Sequence, residues 1–576
     1  MQKFRQIIAD TIGEQSAALF GTALASEDTL ALIEYPPDPS MGDLALPCFK
    51  LSRLLRRSPV QIALALEKAF EGNAYVKASA LNGYLNFTVN DSALAEQVLG
   101  RVFAEKDGYG SPHTGEGKTV VLDYSSPNVA KPFHIGHLGT TVIGHSLKKL
   151  HEFAGYKCIG INYLGDWGTQ FGKLLVAYRK WGSEEDVKKG GIDKLVELYV
   201  RINNEIDREK AEGKTALADA ARLEFSKLEH NDPDNIALWK WFIEISLEEY
   251  AKTYRQLGIE FDSYKGESFY TDKMPAQVEK LRELGLLRID DGASIVDLSE
   301  YNMPPCLILK KDGSTLYPTR DIAAAVYRKN EYHFDKAIYV TSAAQSLHFA
   351  QWFKVVEMMG YDWYDQLVHV PYGTVSINGA KLATRTGNVI LLRDLMAQAI
   401  EKVDAITKEK NPDMDDAKRA EISEAVGVGA IVFYYLSNNR IKDINFMLED
   451  ALSYEGNTGP YVQYTYARTC SVIAKCGDMP LPEKYVISTP EEHELLKVIA
   501  AFPERVCAAL DNYEPSYITR FILDLAASFN RFYHNCQILS AEDAETVKTR
   551  VALTKASQQV LGTAFTLICL KKTEQI

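Results

Sequence analysis

The 576-residue sequence has little that would staple it together or carry it through a membrane. Its eight cysteines, at 48, 158, 306, 470, 476, 507, 536 and 569, are scattered and form no Cys-x-x-Cys pair. That argues against a disulfide framework or a zinc site, and reduced thiols in a cytosolic protein are expected. No apolar run nears the roughly 20 residues of a membrane helix. The opening MQKFRQIIADTIGEQ is amphipathic and of mixed charge, without a signal-peptide layout. Positive charge is not in excess: 64 Lys and Arg face 77 Asp and Glu, a net charge of −13. A generic nucleic-acid coat is thereby disfavoured, although a local basic face can still hold RNA. No Gly-x-Gly-x-x-Gly follows the first candidate strand of the central parallel sheet, against a nicotinamide-binding enzyme.

What is present begins with a hydrophobic content of 46% in a chain too long for one core, so about two to four domains are expected. The most informative stretch is Val120 to Leu150, VLDYSSPNVAKPFHIGHLGTTVIGHSLKKL. Thr119 to Tyr124 is short, apolar and β-branched, which predicts a buried strand. Ser125 to Lys131 is polar and contains Pro127, so it predicts a loop. From His134, apolar residues return at helical spacing: Ile135, Leu138, Val142, Ile143, Leu147 and Leu150. A second apolar run at Cys158 to Leu164 completes a βαβ unit of a parallel sheet, whose ligands gather at the strand's carboxyl end beside the helix N-terminus. Free amides and the helix dipole there suit a phosphate. His134 and His137 share a helix face, and Gly136 between them leaves room for a close approach. One histidine at a helix start is ordinarily a cap or a solvated side chain. Neither capping nor apolar packing asks for two.

His134-Ile135-Gly136-His137 matches the signature of class I aminoacyl-tRNA synthetases, and SSPNVAKPFHIGHL resembles arginyl-tRNA synthetase in particular. The rest of the chain fits that resemblance. Residues 1–112 read as a small α/β domain, with helical pattern over Phe4 to Phe20, through LALPCFKLSRLLRR and through VQIALALEKAF. A strand pair follows near Val76 to Val89, turning at Asn82-Gly83. Lys50, Arg53, Arg56 and Arg57 form a basic cluster that a solvated helix face would also produce. The resemblance implies contact with the tRNA elbow. Residues 113–394 are expected to be a Rossmann-like parallel-sheet catalytic domain. A charged helical insertion spans about 180–255, where Leu195, Leu198, Ile202 and Ile206 keep helical spacing. Residues 395–576 are expected to be an all-helical anticodon-binding domain. TGPYVQY resembles that domain's signature, and Tyr461, Tyr464 and Arg468 are candidates for stacking on bases, with core packing the alternative for the tyrosines. The tail, LKKTEQI, departs from the family's usual ending.

The resemblance implies that Asp123, Asn128, Tyr317, Asp321 and Gln345 hold arginine, with Ser125 beside them; family members often carry Glu at the Asp123 position. A guanidinium offers five donors in a planar fork and keeps its charge, so Asp321 is its natural partner. The resemblance places ATP and its magnesium against His134, Gly136, His137, Gly165, Asp166, Lys381 and Arg385. Lys381-Leu382-Ala383-Thr384-Arg385 resembles the second class I signature, with Thr384 where a lysine normally steadies pyrophosphate. Lys131 is the expected substitute. The implied activity is arginine activation by ATP and transfer to arginine tRNA by a cytoplasmic monomer. Alternatives are another class I synthetase, a small nucleotidyltransferase, which would not need the helical C-terminal third, and a non-catalytic tRNA-binding paralogue.

Overall fold

The computed structural model describes residues 1–576 apart from Pro132, Asn378, residues 382–389 and Glu542, and apart from the side chains of Pro39, Ala380 and Lys381. The chain packs as two compact units. One comprises Met1–Gly110, Thr465–Arg505 and Leu523–Thr563; the other comprises Ser111–Tyr464, Val506–Ile522 and Ala564–Ile576.

In the first unit, helix Gln2–Phe20 buries Phe4, Ile8 and Ile12. A three-stranded antiparallel sheet places Tyr84–Val89 between Leu44–Pro47 and Val76–Leu81. Asn82 and Gly83 both take positive φ, as a two-residue hairpin turn requires. Leu44–Pro47, expected to be helical, is a strand with all four residues buried. A run with no polar face gains more by burying both sides in a sheet than by forming an amphipathic helix. Helix forms later, at Ser52–Leu55 and at Pro59–Ala69, where Ser58 and Gln61 make a capping box. Distant segments complete this unit. Buried Asp43 accepts from Val89 N (2.8 Å), His493 Nε2 (2.9 Å) and Lys497 Nζ (3.1 Å), and Tyr109 donates to the Ile499 carbonyl at 3.2 Å.

The second unit is built on a four-stranded parallel sheet. Its strands are β1 (Thr119–Asp123), β2 (Lys157–Ile161), β3 (Lys336–Ser342) and β4 (Leu367–Tyr372), in the spatial order β4-β3-β1-β2. Helix α1 (Leu138–Phe153) links β1 to β2, α2 (Tyr317–Tyr332) precedes β3, and α3 (Ser346–Met358) links β3 to β4. The chain leaves β1 towards one edge and later returns on its other side. A crevice therefore opens at the carboxyl ends of β1 and β3, where ligands of such sheets bind. Val121, Ile322, Ala325, Ala337, Tyr339, Phe349 and Trp352 belong to one core. At Gly144 on α1 an added Cβ would lie 2.3 Å from Tyr124, so glycine is what lets this helix close onto the end of β1.

Helices Glu184–Ala211, Ala216–Glu229 and Pro233–Leu257 fill the expected insertion. Leu195, Leu198 and Ile202 are buried in its core, Ile206 packs against it, and Val129 and Ala130 of the β1–α1 loop join it. Beyond residue 395 the described chain is helical except for one short strand, Ile444–Phe446, paired parallel with Val375–Ile377. Three residues are too few to show alternation in a sequence. Among the described residues no helix is long and apolar enough to cross a membrane.

Helix α1 carries two buried histidines. The His145 Nδ1 lies 3.1 Å from the Tyr124 hydroxyl, and the His151 Nδ1 lies 2.8 Å from the Leu147 carbonyl. Burial pushes their imidazolium forms down to about 3 and about 4. The unfolded chain protonates them near pH 6.5 and so binds more protons below that value. Their contribution to stability is therefore complete above about pH 6.5 and declines as pH falls, by on the order of 1.4 kcal/mol per unit for each group. Urea unfolding should show a lower midpoint at about pH 5 than at about pH 7, and His145→Gln should lose less over that interval.

Candidate active site

His134 precedes a short turn, Ile135–His137, that leads into α1. The Gly136 N–H donates to His134 Nδ1 at 3.0 Å, and the His134 N–H donates to His137 Nδ1 at 3.2 Å. Since each Nδ1 accepts, each neutral ring carries its proton on Nε2. Burial lowers the His134 pKa, with the Lys131 charge adding to it, and drives His137 to about 3, with His134 adding. The ring centroids are 4.0 Å apart, and His137 stacks on Phe133 at 5.1 Å. The turn's amides, expected to be open to an anion, are used within the chain. Ile135 N donates to the Ile390 carbonyl, His137 N to the His134 carbonyl, and Leu138 N to the Ile135 carbonyl. Among the described residues, neither Nε2–H group of this turn has a hydrogen-bond partner, so both can face an anion.

The loop before this turn is held against the segment that follows β2. Gly165 N donates to the Pro127 carbonyl and Val129 N to the Gly165 carbonyl, both at 3.2 Å. A Cβ on Gly165 would lie 2.2 Å from Asn128 Oδ1, so glycine is needed for Asn128 to sit there, and Asn128 is exposed. Lys131 is half-buried, and burial lowers its ammonium pKa. Two expected ligand groups are committed elsewhere. Ser125 is buried, its Oγ 2.8 Å from Thr141 Oγ1 and 2.7 Å from Tyr254 Oη. The Asp166 carboxylate accepts from Ser268 N (2.8 Å) and Oγ (2.7 Å) and lies against Gly266, where a Cβ would be 2.5 Å away. Burial raises its pKa while Ser268 draws it back. Asp166 thus shapes the wall of the site and does not present its carboxylate to a nucleotide.

Across the crevice, Tyr317 begins α2 and is 67% exposed. Asp321 lies one turn later, with Oδ2 bonded to His348 Nε2 at 2.6 Å. His348 is three residues beyond Gln345, which is exposed at the carboxyl end of β3. Asp123 is not open to a ligand. Its Oδ2 pairs with Arg328 Nη1 at 2.8 Å and its Oδ1 accepts from Ser126 at 3.0 Å. Burial pushes its carboxyl up, against Arg328 and Ser126. Arg328 is 1% exposed, and its guanidinium lies over Tyr163 at 5.0 Å and near Tyr339 at 5.7 Å. Arg320 pairs with Glu267 at 2.6 Å. Burial, opposed by Arg320 and aided by Asp321 and Asp166, lifts Glu267 to about 7. Arg328, His348 and Glu267 went unnoticed in the sequence. The available signals were an arginine two helical turns after Asp321 and a histidine one turn after Gln345.

The side chain of Lys381 and the whole of Thr384 and Arg385 lie outside the described residues. The backbone on either side is placed. Ala380–Lys381 pairs antiparallel with Ser376–Ile377, and Leu392 N donates to the Phe133 carbonyl at 2.9 Å. Ile390 is already bonded to Ile135, so the chain from Ile390 to Leu392 lies against the histidine turn. Among the described residues no group of three His, Cys, Asp or Glu is arranged to hold a metal ion.

Of the expected RNA contacts, Arg53, Arg56 and Arg57 are exposed, whereas Lys50 pairs with Glu34 at 3.0 Å. Tyr461 is half-buried and Tyr464 is 44% exposed. Arg468 bonds Asn530 and lies over Tyr533 at 4.9 Å. Gln463, in the same run, is fully buried and donates to the carbonyls of Ala425 (3.2 Å) and Lys571 (3.0 Å). The atypical tail is thus tied to the second unit at Leu570 and Lys571, and the signature run is partly core.

Three family models match the chain: "Arginyl tRNA synthetase N terminal domain" over residues 2–89, "tRNA synthetases class I (R), catalytic domain" over 99–448, and "DALR anticodon binding domain" over 462–576. The chain is 48% identical to a protein of Clostridioides difficile and 45% identical to one of Alkaliphilus metalliredigens, each named Arginine–tRNA ligase, with both chains covered in full. It shares the fold of Thermus thermophilus arginyl-tRNA synthetase, with a TM-score of 0.79 at 24% identity over 99% of this chain and 100% of that one.

The tautomer assignment has a direct check. Nitrogen-15 NMR should show His137 as a neutral Nε2–H imidazole down to about pH 5, and His134 in the same tautomer with its protonation displaced below the ordinary histidine value of about 6.5.

Proposed function

The chain belongs to the arginine–tRNA ligases, a family of class I aminoacyl-tRNA synthetases, and on that premise we propose how its residues divide the reaction. The enzyme uses ATP to join arginine to arginine tRNA. The arginine carboxylate attacks the α-phosphate in line, forming the adenylate, and pyrophosphate leaves with its magnesium. A ribose hydroxyl of the tRNA's terminal adenosine then takes the arginyl group and AMP departs. Neither step needs a protein nucleophile. Positioning and donors aimed at developing phosphate charge supply the acceleration.

The Nε2–H groups of His134 and His137 meet that charge, and their locked tautomer is the observation that carries this reading. Lys131 serves in place of the lysine absent at Thr384, and Lys381 and Arg385 complete the cationic set. Asp321, with one oxygen already held by His348, receives the substrate guanidinium. Tyr317 and Gln345 flank it, and Asn128 meets the amino-acid end. A charge-assisted hydrogen bond contributes about 1.5–3 kcal/mol, so two or three lost together make rejection of lysine or citrulline steep. Residues 1–112 bring Arg53, Arg56 and Arg57 to the tRNA elbow, 113–394 perform catalysis, and 395–576 carry the exposed face of Tyr464 towards the anticodon, with Tyr461 and Arg468 contributing.

ATP–pyrophosphate exchange, run with each standard amino acid and with and without total tRNA, tests the reading as a whole. Exchange with arginine alone is expected; exchange with another amino acid, or none at all, sinks it. His137→Ala should cut adenylate formation roughly 10²–10³-fold while leaving arginine affinity nearly intact, and equal losses in both would show its role is misassigned. Asp321→Asn should raise the arginine KM about 10–100-fold with the ATP KM unchanged. Lys131→Ala should slow activation, and a wild-type rate would remove it from the phosphate site.

A further inference from the structure

The reaction as described makes no use of the insertion helix Pro233–Leu257, yet one face of that helix is spent almost wholly on the activation site. Ser246, Tyr250 and Tyr254 are four residues apart and so project from one side. All three are buried. Tyr250 Oη lies 2.7 Å from the Asn128 carbonyl and 2.8 Å from the Lys131 carbonyl, its single proton shared between the two acceptors, so that it spans the loop. Ser246 Oγ accepts from Ala130 N at 3.1 Å, and Tyr254 Oη lies 2.7 Å from Ser125 Oγ and accepts from Asn162 Nδ2 at 3.0 Å. The tyrosine rings also pack on Phe133, at 5.5 and 5.6 Å, and Phe133 in turn stacks on His137.

The loop needs such a brace. Ser125, Ser126 and Ala130 have φ of +70°, +47° and +55°, in a region that side chains other than glycine avoid. Three such residues in six do not hold that shape alone; surrounding contacts must determine it. Three of the braced backbone groups belong to Asn128, Ala130 and Lys131, the segment between the amino-acid end and the phosphate end of the site.

We propose that the Ser246–Tyr250–Tyr254 face of the insertion helix is a positioning element of the activation site, fixing Asn128, Lys131 and His137 in register for attack on the α-phosphate. The inference rests on the proposed function and makes the insertion part of the activation machinery.

Tyr250→Phe keeps the ring and its packing on Phe133 and removes only the bridge between the two carbonyls. In the full chain, kcat for arginine-dependent ATP–pyrophosphate exchange should fall at least about tenfold, since displacements near 1 Å cost on the order of 10²-fold. The KM values for arginine and ATP should stay within about twofold and the melting temperature within about 2 °C. Ser246→Ala and Tyr254→Phe should act in the same direction and carry the test if Tyr250→Phe does not fold. The Tyr250→Phe/Tyr254→Phe pair should lose less than the product of the single losses, because both hold one loop. A wild-type kcat in the folded variants, or a loss that merely tracks melting temperature, overturns the proposal. Failure of the unaltered chain to exchange with arginine would instead overturn the proposed function.

Discussion

A guanidinium sealed from water must have an anion beside it, and in this fold Arg328 has Asp123. Breaking a buried pair by removing one partner typically costs about 3–5 kcal/mol, since the other charge is left without water or counterion. The pair joins the carboxyl end of β1 to the last third of α2, so the loop that follows β1 and the helix that bears Tyr317 and Asp321 are set from a common anchor. It also settles the charge of the crevice. With Asp123 neutralised by Arg328 and Glu267 by Arg320, Asp321 is, among the described residues, the carboxylate of this crevice bonded to a histidine and not to an arginine. An incoming cation has one clear destination.

The phosphate side rests on a comparable economy of charge. His134 and His137 are neutral, and their tautomers are dictated by two backbone bonds that also close the turn. Uncharged donors can be packed 4.0 Å apart without the repulsion that two imidazolium rings would suffer. They answer negative charge as it accumulates on phosphate and leave the ground state largely unaltered, as transition-state stabilisation requires.

Much of this was legible in the sequence because it depends on local pattern. The strand, loop and helix from Thr119 to Leu150, the insertion core at Leu195, Leu198 and Ile202, and the hairpin at Asn82-Gly83 follow from side-chain period and turn chemistry. What escaped depends on partners far along the chain. Ser125, Asp166 and Asp123 look like ligand groups in a motif, but Tyr254, Ser268 and Arg328 have already engaged them. The helix-start amides seemed open for the same reason: Ile390, which takes one of them, is more than 250 residues away. Leu44–Pro47 was misread as helix because four apolar residues show no period, and its pairing with Tyr84–Val89 is non-local.

The first unit is stitched from both ends of the chain, and that arrangement bears on how the protein is made. Its opening segment ends at Gly110 and its next begins at Thr465, some 350 residues later. At ribosomal speeds of about 5–20 residues per second, roughly 20 to 70 seconds separate the two. Throughout that wait the nascent sheet holds Asp43 without His493 or Lys497, and Tyr109 without Ile499. Birth order and assembly order are thus opposed: the segment Met1–Gly110 is translated well before the segments it packs against, and its apolar surface stays open over that interval.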